Sequence, residues 1–333
     1  MSIQEQFYKS IEDGDIENFN LLMNNKKVDP SDEDNYAIQV ASLNGHVDIV
    51  KLLLKDKRVN LSVKNNYAIQ ASSLNGHVDI VKLLLKDKRV NPSVENNYAI
   101  RFASYNGHVD IVKLLLKDKR VDPSDENNYA VQLASENGHI DIVKLLLKDK
   151  RFNTADIVSL SIQLASLNGY IDIVELLKDK TINSFDYDFS IEFASEHGNI
   201  DIVKLFLKDK RFNPSSNHNS AIELASESGH FDIVKLLLND ERFNPANNNN
   251  YAIQLASLNG YIDIVKLLLN DKRVNPSAVN NYAIILSSEH GYSDIVKLLW
   301  NDQRVKNTLK DDNEKLYNEL IKKDKIKEKI EEF

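Results

Sequence analysis

Every glycine in the chain stands at one phase of a single repeat, and that register constrains the fold more than any other feature. The ten glycines are Gly14, Gly45, Gly76, Gly107, Gly138, Gly169, Gly198, Gly229, Gly260 and Gly291, spaced by 31 residues except for one step of 29 after Gly169. All six prolines lie 16 residues after a repeat glycine. A period in this range means stacked supersecondary units, each too small to bury its own apolar side.

Residues 66–92 show what one unit must be. Residues 67–74 (Tyr-Ala-Ile-Gln-Ala-Ser-Ser-Leu) crowd Ile69, Ala71, Ser72 and Ser73 on one side, and Asn66 is expected to cap them as a short helix. Asn75-Gly76 stops that helix, because glycine tolerates the left-handed backbone of a helix end. Residues 78–86 predict a second helix with a broad apolar side of Val78, Ile80, Val81, Leu83, Leu84 and Leu85. Asp79 in its first turn and Lys82 and Lys86 later suit the helix dipole. Asn91-Pro92-Ser93 breaks the pattern before the next Asn-Asn-Tyr. Each unit is therefore helix, turn, helix, loop.

These residues carry a family resemblance. Gly-His-Val-Asp-Ile-Val-Lys-Leu-Leu-Leu (76–85) followed by Val90-Asn91 resembles the second helix and loop of the ankyrin repeat, and Ala68-Ile69-Gln70 occupies the place of that family's Thr-Pro-Leu-His first helix. The resemblance recurs through about residues 5–305, and this variant is similar to arrays in amoebae and their giant viruses. It implies an all-α solenoid of stacked helix–turn–helix units with short hairpin-like loops. Three departures stand out. The period is 31, shorter than the family's usual length, and the Thr–His bracing is missing. Asn65, Asn96 and Asn127 fall where the family uses a loop glycine, and asparagine is the next residue to accept a left-handed backbone.

Along the chain, residues 1–34 form a first unit with Lys9 where Val40, Phe102 and Leu133 stand later, the polar outer side expected of a terminal cap. Residues 35–305 hold nine repeats. The stretch 154–190 is irregular: Thr154 replaces proline, Val158-Ser159-Leu160 replaces Asn-Asn-Tyr, and the loop is two residues short. A change of stacking there and simple drift are both open readings. Residues 306–333 predict a charged capping helix in which Leu316, Leu320 and Ile321 seal the last unit.

Composition narrows the function. The chain of 333 residues has 42% hydrophobic residues and no cysteine, which excludes disulfides and thiolate chemistry and fits a reducing compartment. The net charge of −8 argues against nucleic acid as a partner. No basic-then-apolar leader opens the sequence, and no apolar run is long enough to span a membrane. The expectation is a cytoplasmic monomer.

Catalysis needs convergent residues that differ from the scaffold. Here the polar residues are repeated columns. His46, His77, His108, His139 and His230 follow the glycine, and Tyr170, Asn199, Tyr261 and Tyr292 substitute for them, so the column reads as a helix start and not as a metal ligand. The aspartate column (Asp48, Asp79, Asp110 and onward) reads as dipole partners for a lysine three residues on. No phosphate loop, zinc spacing or nucleophile motif is present, so no catalytic residue, metal or cofactor is assigned.

What varies inside the array is where binding specificity is expected. In the ankyrin resemblance, the first helix and loop tips form a concave surface. The column two residues before each glycine reads Leu43, Leu74, Tyr105, Glu136, Leu167, Glu196, Glu227, Leu258 and Glu289. Leu43, Leu74 and Tyr105 predict an apolar strip across three units, with Arg101 placed to stack on Tyr105. Glu192, Glu196, Glu223 and Glu227 predict an acidic cluster able to receive a basic segment. Packing of the strip under the loops, and an ordinary solvated acidic face, remain the plain alternatives. The resemblance implies a non-enzymatic scaffold or adaptor with a protein partner; a substrate-recognition subunit of a larger complex, such as a ubiquitin ligase, is the alternative. Asn60, Asn91 and Asn275 also resemble loop asparagines that hydroxylases modify, although Arg58, Arg89 and Arg273 stand where an acidic residue is usual.

Overall fold

The computed structural model describes residues 1–152, 154–180, 184–209, 211 and 220–331, without the side chains of 63, 65, 154–158, 184–187 and 326–331. Twenty-two helices account for the secondary structure, and no strand occurs among the described residues. The helices alternate as the repeat predicts, for example Val94–Tyr105 then Val109–Leu116, and Asp125–Glu136 then Ile140–Leu147. The chain is an all-α solenoid, divided into two compact units: residues 1–165 with 172–181, and residues 166–171 with 182–333. The division falls within 154–190; residues 153 and 181–183 of that stretch lie outside the described residues.

The core is built from columns. Most second helices bury an Ile-Val-x-x-Leu set, as in Ile49, Val50 and Leu53, or Ile111, Val112 and Leu115, with Phe206 in the leucine place of one copy. Most first helices bury an Ala-Ile pair and a following Ala or Ser, as in Ala99, Ile100 and Ala103, with serine in the first place at Ser161 and Ser190. The 3.6-residue period puts these on one side, and burial of each Ile, Val or Leu side chain contributes roughly 1.5–3 kcal/mol.

The repeat glycines are fixed by two facts at once. Gly76 has φ +80°, and a Cβ there would lie 2.7 Å from Cε1 of His108 in the next repeat. His108 in turn places Nε2 2.9 Å from the Leu74 carbonyl. A carbonyl only accepts, so Nε2 carries the hydrogen. His77 and His139 make the same bond to Leu43 and Tyr105, and Asn199 Nδ2 donates to Leu167 at 2.9 Å. The histidine column is thus a structural tie between neighbouring repeats. The aspartate column pairs with lysine three positions on, as in Asp48–Lys51 at 2.9 Å and Asp79–Lys82 at 3.0 Å.

The start of the first helix differs from the sequence expectation. Asn66 is not a helix cap: it has φ +56° and is 5% exposed. In other copies, three successive residues such as Glu95, Asn96 and Asn97 make one left-handed turn, and right-handed helix begins at the tyrosine. Asn96 and Asn127 do take the left-handed backbone expected of them; Asn65 lies outside the described side chains. A left-handed residue other than glycine costs roughly 1–2 kcal/mol, so a turn of three must be compensated. Asn97 N–H closes it onto the Ser93 carbonyl at 3.1 Å. Asn97 Oδ1 accepts from the Asp122 N–H of the next repeat at 2.8 Å, as Asn35, Asn66 and Asn250 do from Asn60, Asn91 and Asn275. This buried asparagine ladder supplies the bracing that the absent Thr–His pair would give.

A second ladder runs along the far turn. Asp87 grips Arg89 at 2.6 Å, and Arg89 donates to the Val59 and Leu54 carbonyls of the preceding repeat at 3.0 and 3.1 Å. The Arg89 partnership holds the Asp87 carboxyl below its ordinary range. Asp118–Arg120, Asp149–Arg151 and Asp271–Arg273 repeat the arrangement. At the C-terminal end, Trp300 Nε1 donates to Asp324 at 2.7 Å and its ring meets Tyr317 edge-on, while Leu316 and Leu320 are buried.

Candidate partner-binding face

The ties above decide which positions are free to vary. The His77, His108 and His139 bonds take the backbone carbonyls of Leu43, Leu74 and Tyr105 and leave their side chains unconstrained. Leu43 is 37% and Tyr105 42% exposed, and Leu74 between them is half-buried. Glu136 is exposed and Leu167 half-buried.

Arg101 does not stack on Tyr105. Its guanidinium lies 4.8 Å from the centre of the Tyr129 ring in the next repeat, and it donates to the Asn96 carbonyl at 3.3 Å. Helical side chains lean toward the helix N-terminus, away from a residue four positions later. Arg101 also stands in the column of Gln39, Gln132 and Gln254, whose Nε2 atoms donate to the same left-handed carbonyl at 2.6, 2.8 and 2.8 Å. Tyr98 stacks on Phe102 at 4.0 Å, and Phe102 meets Tyr105 at 6.3 Å. With Tyr129, which is 38% exposed, these make an aromatic patch wider than the leucine strip. Tyr98, Phe102 and Tyr129 were not singled out from the sequence; the spacing of Tyr98, Phe102 and Tyr105 on one helical side was the signal that could have revealed the patch.

The four glutamates separate. Glu192 and Glu223 are 8% and 5% exposed, because they occupy the inward glutamine column. Glu192 accepts from the Ser220 N–H at 2.8 Å, and Glu223 accepts twice from Asn248 Nδ2 at 2.8 and 3.0 Å. Burial pushes the Glu192 carboxyl up to about 7 against the lowering effect of the Ser220 N–H, with Asp188 and Glu223 adding to the rise. Burial likewise raises Glu223, and Asn248 opposes it. Glu227 is exposed and Glu196 half-buried, so only these two can present charge outward.

Among the described residues no group of three His, Asp or Glu side chains could hold a metal ion, and no helix is long and apolar enough to cross a membrane. Family models agree with the architecture. A model of three ankyrin repeats matches residues 7–96, 69–159, 100–188 and 162–247, and a single ankyrin repeat matches 248–281. The chain belongs to the ankyrin-repeat family. None of the curated proteins compared with it matches. Ankyrin repeats are generic protein–protein interaction modules, typically non-enzymatic.

Proposed function

We propose that the chain is a non-enzymatic scaffold or adaptor, cytoplasmic and monomeric, that binds a protein partner through the first-helix face of residues 35–136. The observation that carries this reading is the exposed patch of Leu43, Tyr105 and Tyr129, with Arg101 over the Tyr129 ring. Exposed aromatics with arginine are the composition of binding hot spots, and no packing role requires them outward. Glu136 of the same unit, and by themselves Leu167, Glu196 and Glu227 of the second unit, stand at the same position of their repeats and are proposed as further partner contacts. The segments 1–34 and 306–333 act in this proposal as caps.

The test is capture from native cell extract with the unaltered protein and with a Leu43→Asp, Leu74→Asp, Tyr105→Asp variant whose circular dichroism shows an intact array. Loss of one discrete protein from the variant supports the patch. Identical capture by both removes the patch from the binding site.

A further inference from the structure

The far turns of the first regular repeats carry charge that the fold does not use. In residues 1–152 the sequence Lys-Asp-Lys-Arg occurs four times, at 55–58, 86–89, 117–120 and 148–151. The aspartate and arginine are consumed internally, since each aspartate grips its arginine at 2.6–2.7 Å and the arginines bond the preceding repeat's carbonyls. The lysines are left over. Lys55, Lys86, Lys117 and Lys148 precede the aspartate; Lys57, Lys88, Lys119 and Lys150 follow it. All eight are exposed, and none has an ion-pair partner among the described residues.

These lysines are not a requirement of the turn. The same Asp–Arg pair forms at 240–242, 271–273 and 302–304, at 2.6, 2.6 and 2.7 Å. There the flanking residues are Asn239 and Glu241, Asn270 and Lys272, and Asn301 and Gln303. The turn therefore folds with neutral or acidic residues at both positions. The lysines of these four copies, which recur in the sequence as Lys208 and Lys210, are surplus to it, in a chain whose net charge is −8. The arginine-to-carbonyl bonds, each spanning 30 residues, hold the four turns in register, so the lysines recur at the same place of each successive turn.

We propose that these turns form a second interaction surface, separate from the first-helix face and independent of it, that binds an extended acidic polypeptide. Neighbouring repeats lie about 10 Å apart, and an extended chain rises about 3.3 Å per residue. A carboxylate at every third residue therefore meets a lysine pair at every repeat. A nucleic acid fits less well. Duplex DNA carries a negative charge every ~1.7 Å, far denser than a lysine pair per repeat, and Phe152, the aromatic residue that follows the fourth turn, is buried and not presented to stack on bases.

The experiment measures fluorescence anisotropy of a labelled peptide of four Glu-Ser-Ser units, with Gln-Ser-Ser and oligothymidine probes alongside. The protein is compared with a variant carrying asparagine at the four leading lysines and glutamine at the four trailing ones, the residues that later copies use. A second variant, Lys57→Gln, Lys88→Gln, Lys119→Gln, Lys150→Gln, serves if the first does not fold. The acidic peptide should bind, weaken with salt, and lose about tenfold or more in affinity in the variant, since each of several exposed pairs weighs a factor of roughly two. Absence of binding, or equal binding by the variant, overturns the proposal. So does tighter binding of oligothymidine than of the peptide, which would make the turns a nucleic-acid surface.

Discussion

Glu192 gives the sharpest test of how the array tolerates a misfit residue. It occupies a column that elsewhere holds Gln39, Gln132 and Gln254, and it is 8% exposed. Its carboxyl is raised from 4.5 to about 7, chiefly by burial. The folded protein therefore holds that proton more tightly than the unfolded chain does. Below about pH 4.5 both states are protonated and nothing is lost. Between about 4.5 and 7 the unfolded state gains by ionising first, so stability falls as pH rises, and above about 7 the loss is complete. The shift corresponds to at most about 3 kcal/mol, reduced to roughly 1–3 kcal/mol by residual contact with water. Glu192→Gln removes the titration and keeps an oxygen to accept from Ser220. Urea unfolding of both proteins from acid to mildly alkaline pH should show curves that converge near pH 4.5 and separate above pH 7, with the variant more stable. A carboxyl-carbon NMR titration should place the Glu192 midpoint near 7, and Glu223→Gln should lower it by removing one neighbouring charge. A midpoint below 5, or a variant less stable than the parent at pH 8, would refute the reasoning.

Three further outcomes follow from the ties between repeats. Asn97→Ala leaves the Asp122 N–H without its acceptor and should cost roughly 1–3 kcal/mol; faster hydrogen exchange at Asp122 reports the loss. Gly76→Ala should cost at least ~1 kcal/mol for its φ of +80° alone. It should cost less when His108 is already alanine, because the clash at 2.7 Å is then gone; a double-mutant cycle in denaturant measures that coupling. Trp300→Phe removes the donor to Asp324 and should lower exchange protection in Glu314–Glu331 while leaving the rest of the chain unchanged.

Much of the fold was legible because glycine and proline mark the same phase in every copy. Ile80, Val81 and Leu84 could be placed inside from their spacing alone. What misled was local grammar. Asn66 before Tyr67 has the look of a cap, but a buried asparagine whose donor lies 25 residues away leaves no short-range signal. Arg101 and Tyr105 have helical spacing, yet side-chain lean carries the guanidinium to Tyr129 in another repeat. Glu192 and Glu223 looked like surface charge because they are acidic. Their column is inward, and comparison with Gln39 and Gln132 was the available clue. The Asp–Arg pairs at 87 and 89 went unread because charged loop residues are usually solvated, and only the stacked neighbour supplies the carbonyls they need.

The asparagine ladder reaches forward to the following repeat, whereas the histidine and arginine ties reach back to the one before. None of these bonds extends past an adjacent copy. A gene that duplicates or deletes one whole 31-residue segment therefore recreates the same junction on both sides, with every donor meeting its acceptor. Length is thus a quantity that recombination can change in whole steps, and the row of lysines or the aromatic patch can be lengthened, shortened or copied without inventing a new joint.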